Sequence, residues 1–257
     1  MIIDMHVHYG FLFFPINLFS SDDLVKKMDT FKIDVGIVSN VRGIFYDFRD
    51  CNRELHNAIS KYPGRLKGYI VVNPNYIEES IEQIVEYSKE PQFVGVKLHA
   101  SWHNKPIDGC EFAPIFEKCD ELKLPVLVHS YVVDDFSDQV SSPERIVNVA
   151  KRYSNPIIVA HMGGNSKRTI KAVKNIENVY IDISSGRERA SQLYVWQFGR
   201  VDEAVKELGA DKILFGTDFP LLDPSICMGM MEDSYLGDEE RELIMYKNAC
   251  KVFNMNF

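Results

Sequence analysis

At 257 residues the chain can form one α/β barrel or two smaller domains, and it can bury roughly three quarters of its surface. Hydrophobic residues at 46% and charged residues at 26% exclude a disordered or fibrous chain. A net charge of −8 without a local basic patch argues against nucleic acid or an anionic membrane as partner.

The first apolar run covers residues 1–3. Ser20 to Asp23 then offers an N-cap and an acidic first turn, opening a helix with Leu24, Met28 and Phe31 on one face. Residues 35–38 form the second run. A helix over residues 54–62 groups Leu55, Ile59 and Tyr62 and is stopped by Pro63-Gly64. Residues 68–72 are the third run, followed by the helical stripe Ile77, Ile81, Ile84 and Val85. Residues 94–98 are the fourth, with Phe112, Ile115, Phe116 and Cys119 striped after them. Residues 126–128 are the fifth, and Ser142-Pro143 starts a helix with Pro at its first position. Residues 157–160 and 179–183 are the sixth and seventh, and residues 190–199 read as a longer loop or extra turn. Val201, Val205 and Leu208 share a last helical face capped by Gly209, before the eighth run at 213–215.

The runs are short, rich in β-branched residues and mostly unalternating, as parallel strands covered on both faces are. Eight strand–helix alternations at intervals of roughly 25 to 35 residues predict an α/β chain folded as a single (β/α)8 TIM barrel over residues 1–257. An open doubly wound sheet is the structural alternative. Five cysteines without a CxxC pair read as reduced thiols. The opening MIIDMHVHYG lacks the basic flank and long apolar stretch of a signal peptide, and no run of about 18 apolar residues occurs. A cytoplasmic location is therefore expected.

Polar residues gather where these strands end. His6, His8, His99, His129 and His161 lie at or just past C-terminal ends, and Asp218 follows the eighth run. In a barrel those ends converge on one mouth, where active sites are built. His6 and His8 share a face by strand parity, and His129 and Asp218 can reach the same space. Three imidazoles and a carboxylate suit one divalent ion, Zn²⁺ first, with Mn²⁺, Fe²⁺ or Co²⁺ as alternatives.

The segments IDMHVH at 3–8, VGVKLH at 94–99, PVLVH at 125–129, VAHMGG at 159–164 and ILFGTDFP at 213–220 occur in this order, with Asn248-Ala249 near the end. As a set they resemble the amidohydrolase-related branch of the amidohydrolase superfamily, metal-dependent barrel hydrolases and decarboxylases. The resemblance implies that His6, His8 and His129 hold the metal. It implies that Asp218 is a ligand that also handles the proton of bound water, and that His161 is a nearby acid/base or substrate-polarising group. The residue chemistry agrees, because a Zn-type ion lowers the pKa of its water to about 7 and an adjacent carboxylate can take the proton.

Lys97 and His99 share a face by parity. Some superfamily members carry a carboxylated, metal-bridging lysine on this strand; here neutral scaffolding and a substrate contact are the other readings. His99 reads as a pocket residue or a cap of the loop. Arg42, Arg187 and Arg189 follow strand ends at the mouth, where arginine can clamp a carboxylate, or they are solvated loop residues. Trp102 and His103 read as pocket wall or surface loop, and His56 as a surface residue.

The sequence favours a hydrolase that cleaves a C–N or C–O bond of a small organic substrate with metal-activated water. A nonoxidative decarboxylase of an aromatic or unsaturated carboxylate is the close alternative, and a ligand-binding barrel the remote one. The expected partner is a small molecule, with a carboxylate admitted; a homodimer stays open.

Overall fold

The computed structural model describes residues 1–11, 20–130, 139–184 and 201–256. The strands are β1 (Ile3–Tyr9), β2 (Val35–Asn40), β3 (Leu66–Val71), β4 (Phe93–Leu98), β5 (Val126–Val128), β6 (Ile157–Val159), β7 (Val179–Asp182) and β8 (Ile213–Leu214). They form one eight-stranded sheet in chain order, with every neighbouring pair parallel. The chain past β8 then returns to β1. Met5 N–H donates to Phe215 O at 3.0 Å, Asp218 N–H to His6 O at 2.8 Å and His8 N–H to Phe219 O at 2.7 Å. This seam brings the ends of the sheet together as a (β/α)8 barrel and removes the open-sheet alternative.

The outer helices form where the sequence places caps and apolar stripes. Ser20 caps Ser21–Thr30 in a capping box with Asp23, and Ser142 caps Pro143–Arg152, with Pro143 at its start. The helix predicted over 54–62 instead runs Phe48–Ile59, because Asp47 accepts the Arg49 N–H and starts it earlier. Gly209 ends Val201–Leu208 with a φ of +88°, a conformation that glycine adopts without a Cβ clash. Among the described residues, no helix is long and apolar enough to cross a membrane.

Two large apolar clusters share most of the strand residues. Outward side chains such as Val7, Val38, Ile70, Val96, Val128, Val159 and Ile181 pack with the helices. A second cluster joins Ile3, Met5, Ile37, Tyr69, Leu127, Ile158 and Leu214, from six of the strands, to Ala249, Val252 and Phe253 near the C-terminus. Tyr69 packs edge-on against Phe253 at 5.9 Å and donates its hydroxyl to Met5 O at 2.8 Å.

The sequence places β1 at residues 1–3 with His6 and His8 beyond it. The strand in fact runs through both histidines to Tyr9. Between Asp4 and Val7 its register against β2 shifts: three steps on β1 face two on β2, from Gly36 to Val38. Such a bulge resets the inward alternation, so Met5 joins the apolar interior, His6 the polar group above it and Val7 the outer cluster.

Candidate metal centre

His6 is fully buried, and its Nε2 lies 3.5 Å from Asp218 Oδ1. His8 Nε2 lies 2.8 Å from the same oxygen, and its Nδ1 lies 2.9 Å from Ser39 Oγ at the end of β2. Across the barrel, Lys97 brings Nζ to 3.1 Å from His6 Nε2. His161 Nε2 meets His129 Nδ1 at 3.0 Å, and His99 stacks on His129 with ring centroids 3.7 Å apart. The six predicted residues His6, His8, His129, His161, Lys97 and Asp218 thus form one connected group.

Backbone conformation aims two of them. Asp218 has a φ of +63°, and His161 to Gly164 all occupy the left-handed region, with φ between +53° and +73°. Such a conformation costs a non-glycine residue roughly 1–2 kcal/mol. Gly163 and Gly164 remove that cost from half of the turn. A strained turn held beside a polar cluster is typical of functional sites.

Burial keeps four of the imidazoles neutral. The pKa values of His6, His99, His129 and His161 all fall well below the ordinary range, first by desolvation and then by repulsion from Lys97 or neighbouring histidines. Lys97 is pushed down to about 8 by burial, against the attraction of Asp218 and Asp182. Neutral imidazoles beside carboxylates are a donor set that fits a borderline divalent cation. One ligand atom each from His6, His161 and Asp218 lie within 4.8 Å of one another. His161 therefore joins His6 and Asp218 more tightly than the sequence indicates, while His129 sits against His161.

Other expected contacts fall differently. Arg42 is ion-paired: its guanidinium meets Glu54 at 2.8 Å, and its Nε–H reaches Cys51 Sγ. His99 caps Ala100–His103 by accepting the Trp102 N–H, and its ring stacks on His129. Trp102 is half exposed against Phe45, and His103 is buried with Nε2 on Ile44 O at 3.2 Å. His56 is half-buried near Glu90 and packs on Tyr87 and Phe93. Arg187, Arg189 and residues 190–199 lie outside the described residues.

Sequence reasoning missed the supports of the cluster. Asp4 in β1 accepts from Thr217 Oγ at 2.5 Å and from the Thr217 and His6 N–H groups, tying β1 to the turn that carries Asp218. Burial lifts its pKa to about 7. Asp182 ends β7 within 2.8 Å of His6 Nδ1. The available signal was a carboxylate inside an otherwise apolar strand, a placement that costs free energy unless it is paired.

Comparison with known proteins places this geometry among relatives. The chain is 22% identical over 280 residues to 2-amino-3-carboxymuconate-6-semialdehyde decarboxylase of Dictyostelium discoideum, covering 93% of this chain and 78% of that one. It is similar in fold to 5-carboxyvanillate decarboxylase of Novosphingobium aromaticivorans, solved with manganese and 4-hydroxy-3-methoxy-5-nitrobenzoic acid. That match has a TM-score of 0.78 at 17% identity, covering 99% and 96% of the two chains. It is also similar to dihydroxybenzoic acid decarboxylase of Polaromonas sp. JS666, solved with manganese and 2-nitroresorcinol. There the TM-score is 0.75 at 19% identity, covering 100% and 97%. The amidohydrolase family model matches residues 3–255, so the chain belongs to the amidohydrolase family.

Proposed function

We propose that the chain is a metal-dependent nonoxidative decarboxylase of a small aromatic or unsaturated carboxylate. This reading takes the place of the hydrolase favoured from sequence. The observation that carries it is the end-to-end similarity to decarboxylases of such acids, coinciding with a buried His/Asp cluster at the barrel mouth.

His6, His8 and Asp218, with His129 or His161 from the paired imidazoles, would hold one divalent ion. Zn²⁺, Fe²⁺ and Co²⁺ fit these donors, and Mn²⁺ is the ion in the two solved structures. When bound, the ion supplies Lewis-acid polarisation of a substrate oxygen.

Loss of CO₂ requires a proton at the carbon that releases it. Asp218 would carry that proton, since its Oδ1 faces both His6 and His8 and lies within hydrogen-bond distance of His8 Nε2. His161, neutral and joined to His129, is the second proton-handling group. Lys97 adds a buried positive charge toward an anionic substrate, and the stacked His99 and His129 rings present a flat wall. Arg187 and Arg189 stay candidates for a carboxylate clamp, ahead of Arg42, which would have to leave its pair with Glu54 to serve.

The test uses metal-loaded protein and two panels: hydroxybenzoates with related unsaturated carboxylates, and lactones with amides. Release of CO₂ from the first panel supports the reading. Acid release from the second panel without CO₂ from the first returns the chain to hydrolysis. Turnover of neither panel favours a ligand-binding barrel.

A further inference from the structure

The end of β7 carries two polar side chains that the proposed reaction does not use. Asp182 is fully buried, and its Oδ2 lies 2.8 Å from His6 Nδ1. Its Oδ1 accepts the N–H groups of His161 and Ser184, each at 2.9 Å, and the Ser184 hydroxyl at 2.6 Å. Ser184 Oγ in turn lies 3.0 Å from both His6 Nδ1 and His161 Nδ1.

Counting hydrogens fixes the roles. Ser184 has one hydroxyl hydrogen, and a 2.6 Å contact with a carboxylate oxygen needs that hydrogen between the two atoms. The serine oxygen is then only an acceptor, so the hydrogen it shares with His161 must sit on His161 Nδ1. His6 Nδ1 likewise faces two acceptors, Asp182 Oδ2 and Ser184 Oγ, and must carry its own hydrogen. The far side of His6 agrees, since Lys97 Nζ, a donor, approaches its Nε2. On the far side of His161, the assignment requires His129 Nδ1 to donate to Nε2.

We propose that Asp182 and Ser184 form a positioning pair that holds His6 and His161 as Nδ1–H tautomers. One carboxylate reaches His6 directly and His161 through the serine hydroxyl, leaving Nε2 as the acceptor nitrogen of each ring. His161 then enters the site as a metal ligand or proton acceptor, not as a proton donor. Only this consequence rests on the proposed metal chemistry; the tautomers exist without the ion.

Long-range ¹H–¹⁵N spectra of ¹⁵N-histidine-labelled, metal-free protein test the assignment. Both rings are expected to show a protonated Nδ1 and an unprotonated Nε2. Ser184→Ala should change the His161 signature and spare that of His6, and Ser184→Thr, which keeps the hydroxyl, should restore it. Asp182→Asn should alter both rings and weaken Mn²⁺ binding about 10- to 100-fold, the usual scale for lost outer-shell support. Wild-type ring signals in Ser184→Ala would overturn the proposal, even if Asp182→Asn fails to fold. The expected tautomers in a protein that binds no Mn²⁺ would uphold the pair and refute the metal reading instead.

Discussion

Below the mouth, the barrel is filled by Ile3, Met5, Ile37, Leu127, Ile158 and Leu214, with Phe253 packed against Tyr69. Toward the C-terminal ends, these strands and the residues just past them supply His6, His129, His161, Asp182 and Asp218. Both regions are largely buried, and they differ in what burial does. In the apolar layers it stabilises the fold, by about 25 cal/mol per Å² removed from water. In the polar layer it strips charge from the imidazoles and stores left-handed strain at His161 and Asp218. The lower barrel thus supplies the stability that lets the mouth hold an unfavourable, reactive arrangement.

Substitutions that act on one region and spare the other sharpen this contrast. The largest effect is expected from Ile37→Ala, inside the apolar layer and away from the cluster, which should cost about 2–5 kcal/mol in chemical unfolding. Its metal content should stay that of wild type. Asp218→Asn should do the reverse. Asn tolerates the left-handed backbone and keeps one coordinating oxygen, so the fold and much of the metal should persist. Turnover should fall at least about 10²-fold, about 2.7 kcal/mol of barrier. Near wild-type turnover in the metal-loaded variant would remove Asp218 from the proton transfer.

A smaller effect separates the mouth's cluster from its surroundings. Burial holds His103 down at about 4, and its Nδ1 has no hydrogen-bond partner among the described residues. The unfolded chain therefore takes up a proton near pH 6.5 that the folded chain refuses until about pH 4. This contribution to stability is full above about pH 6.5 and should shrink by about 2 kcal/mol between about pH 7 and pH 5. Urea unfolding of wild type and His103→Gln at both pH values checks it: the wild-type advantage should narrow on acidification. The smallest effect belongs to Arg42→Ala. Its partly exposed pair with Glu54 should contribute within about 1 kcal/mol, and turnover should not change.

The barrel was legible because each strand is a short β-branched run and each cap, from Ser20 to Gly209, is a residue suited to that place. The cluster was legible because histidines and Asp218 recur at strand ends. What stayed hidden depends on distant pairing. The β1 bulge exists only against β2, and Asp182 becomes part of the cluster only when β7 faces β1. The four-residue left-handed turn at His161 has two glycines to announce it, but His161 and Met162 adopt it under tertiary constraint. Arg42 looks free in sequence because Glu54, its partner, is one helix away.

The claim on which the account depends is that the buried His/Asp group at the mouth holds one divalent ion. Metal-stripped protein should be titrated with Mn²⁺ and its bound metal counted, beside the single Ala variants at His6, His8, His129, His161 and His56. The account predicts about one ion per chain in wild type and in His56→Ala, with binding lost or sharply weakened by His6→Ala and His8→Ala. Whichever of His129→Ala and His161→Ala weakens binding more identifies the third imidazole. Wild-type protein that takes up no ion, or binds equally well without His6 and His8, would contradict it.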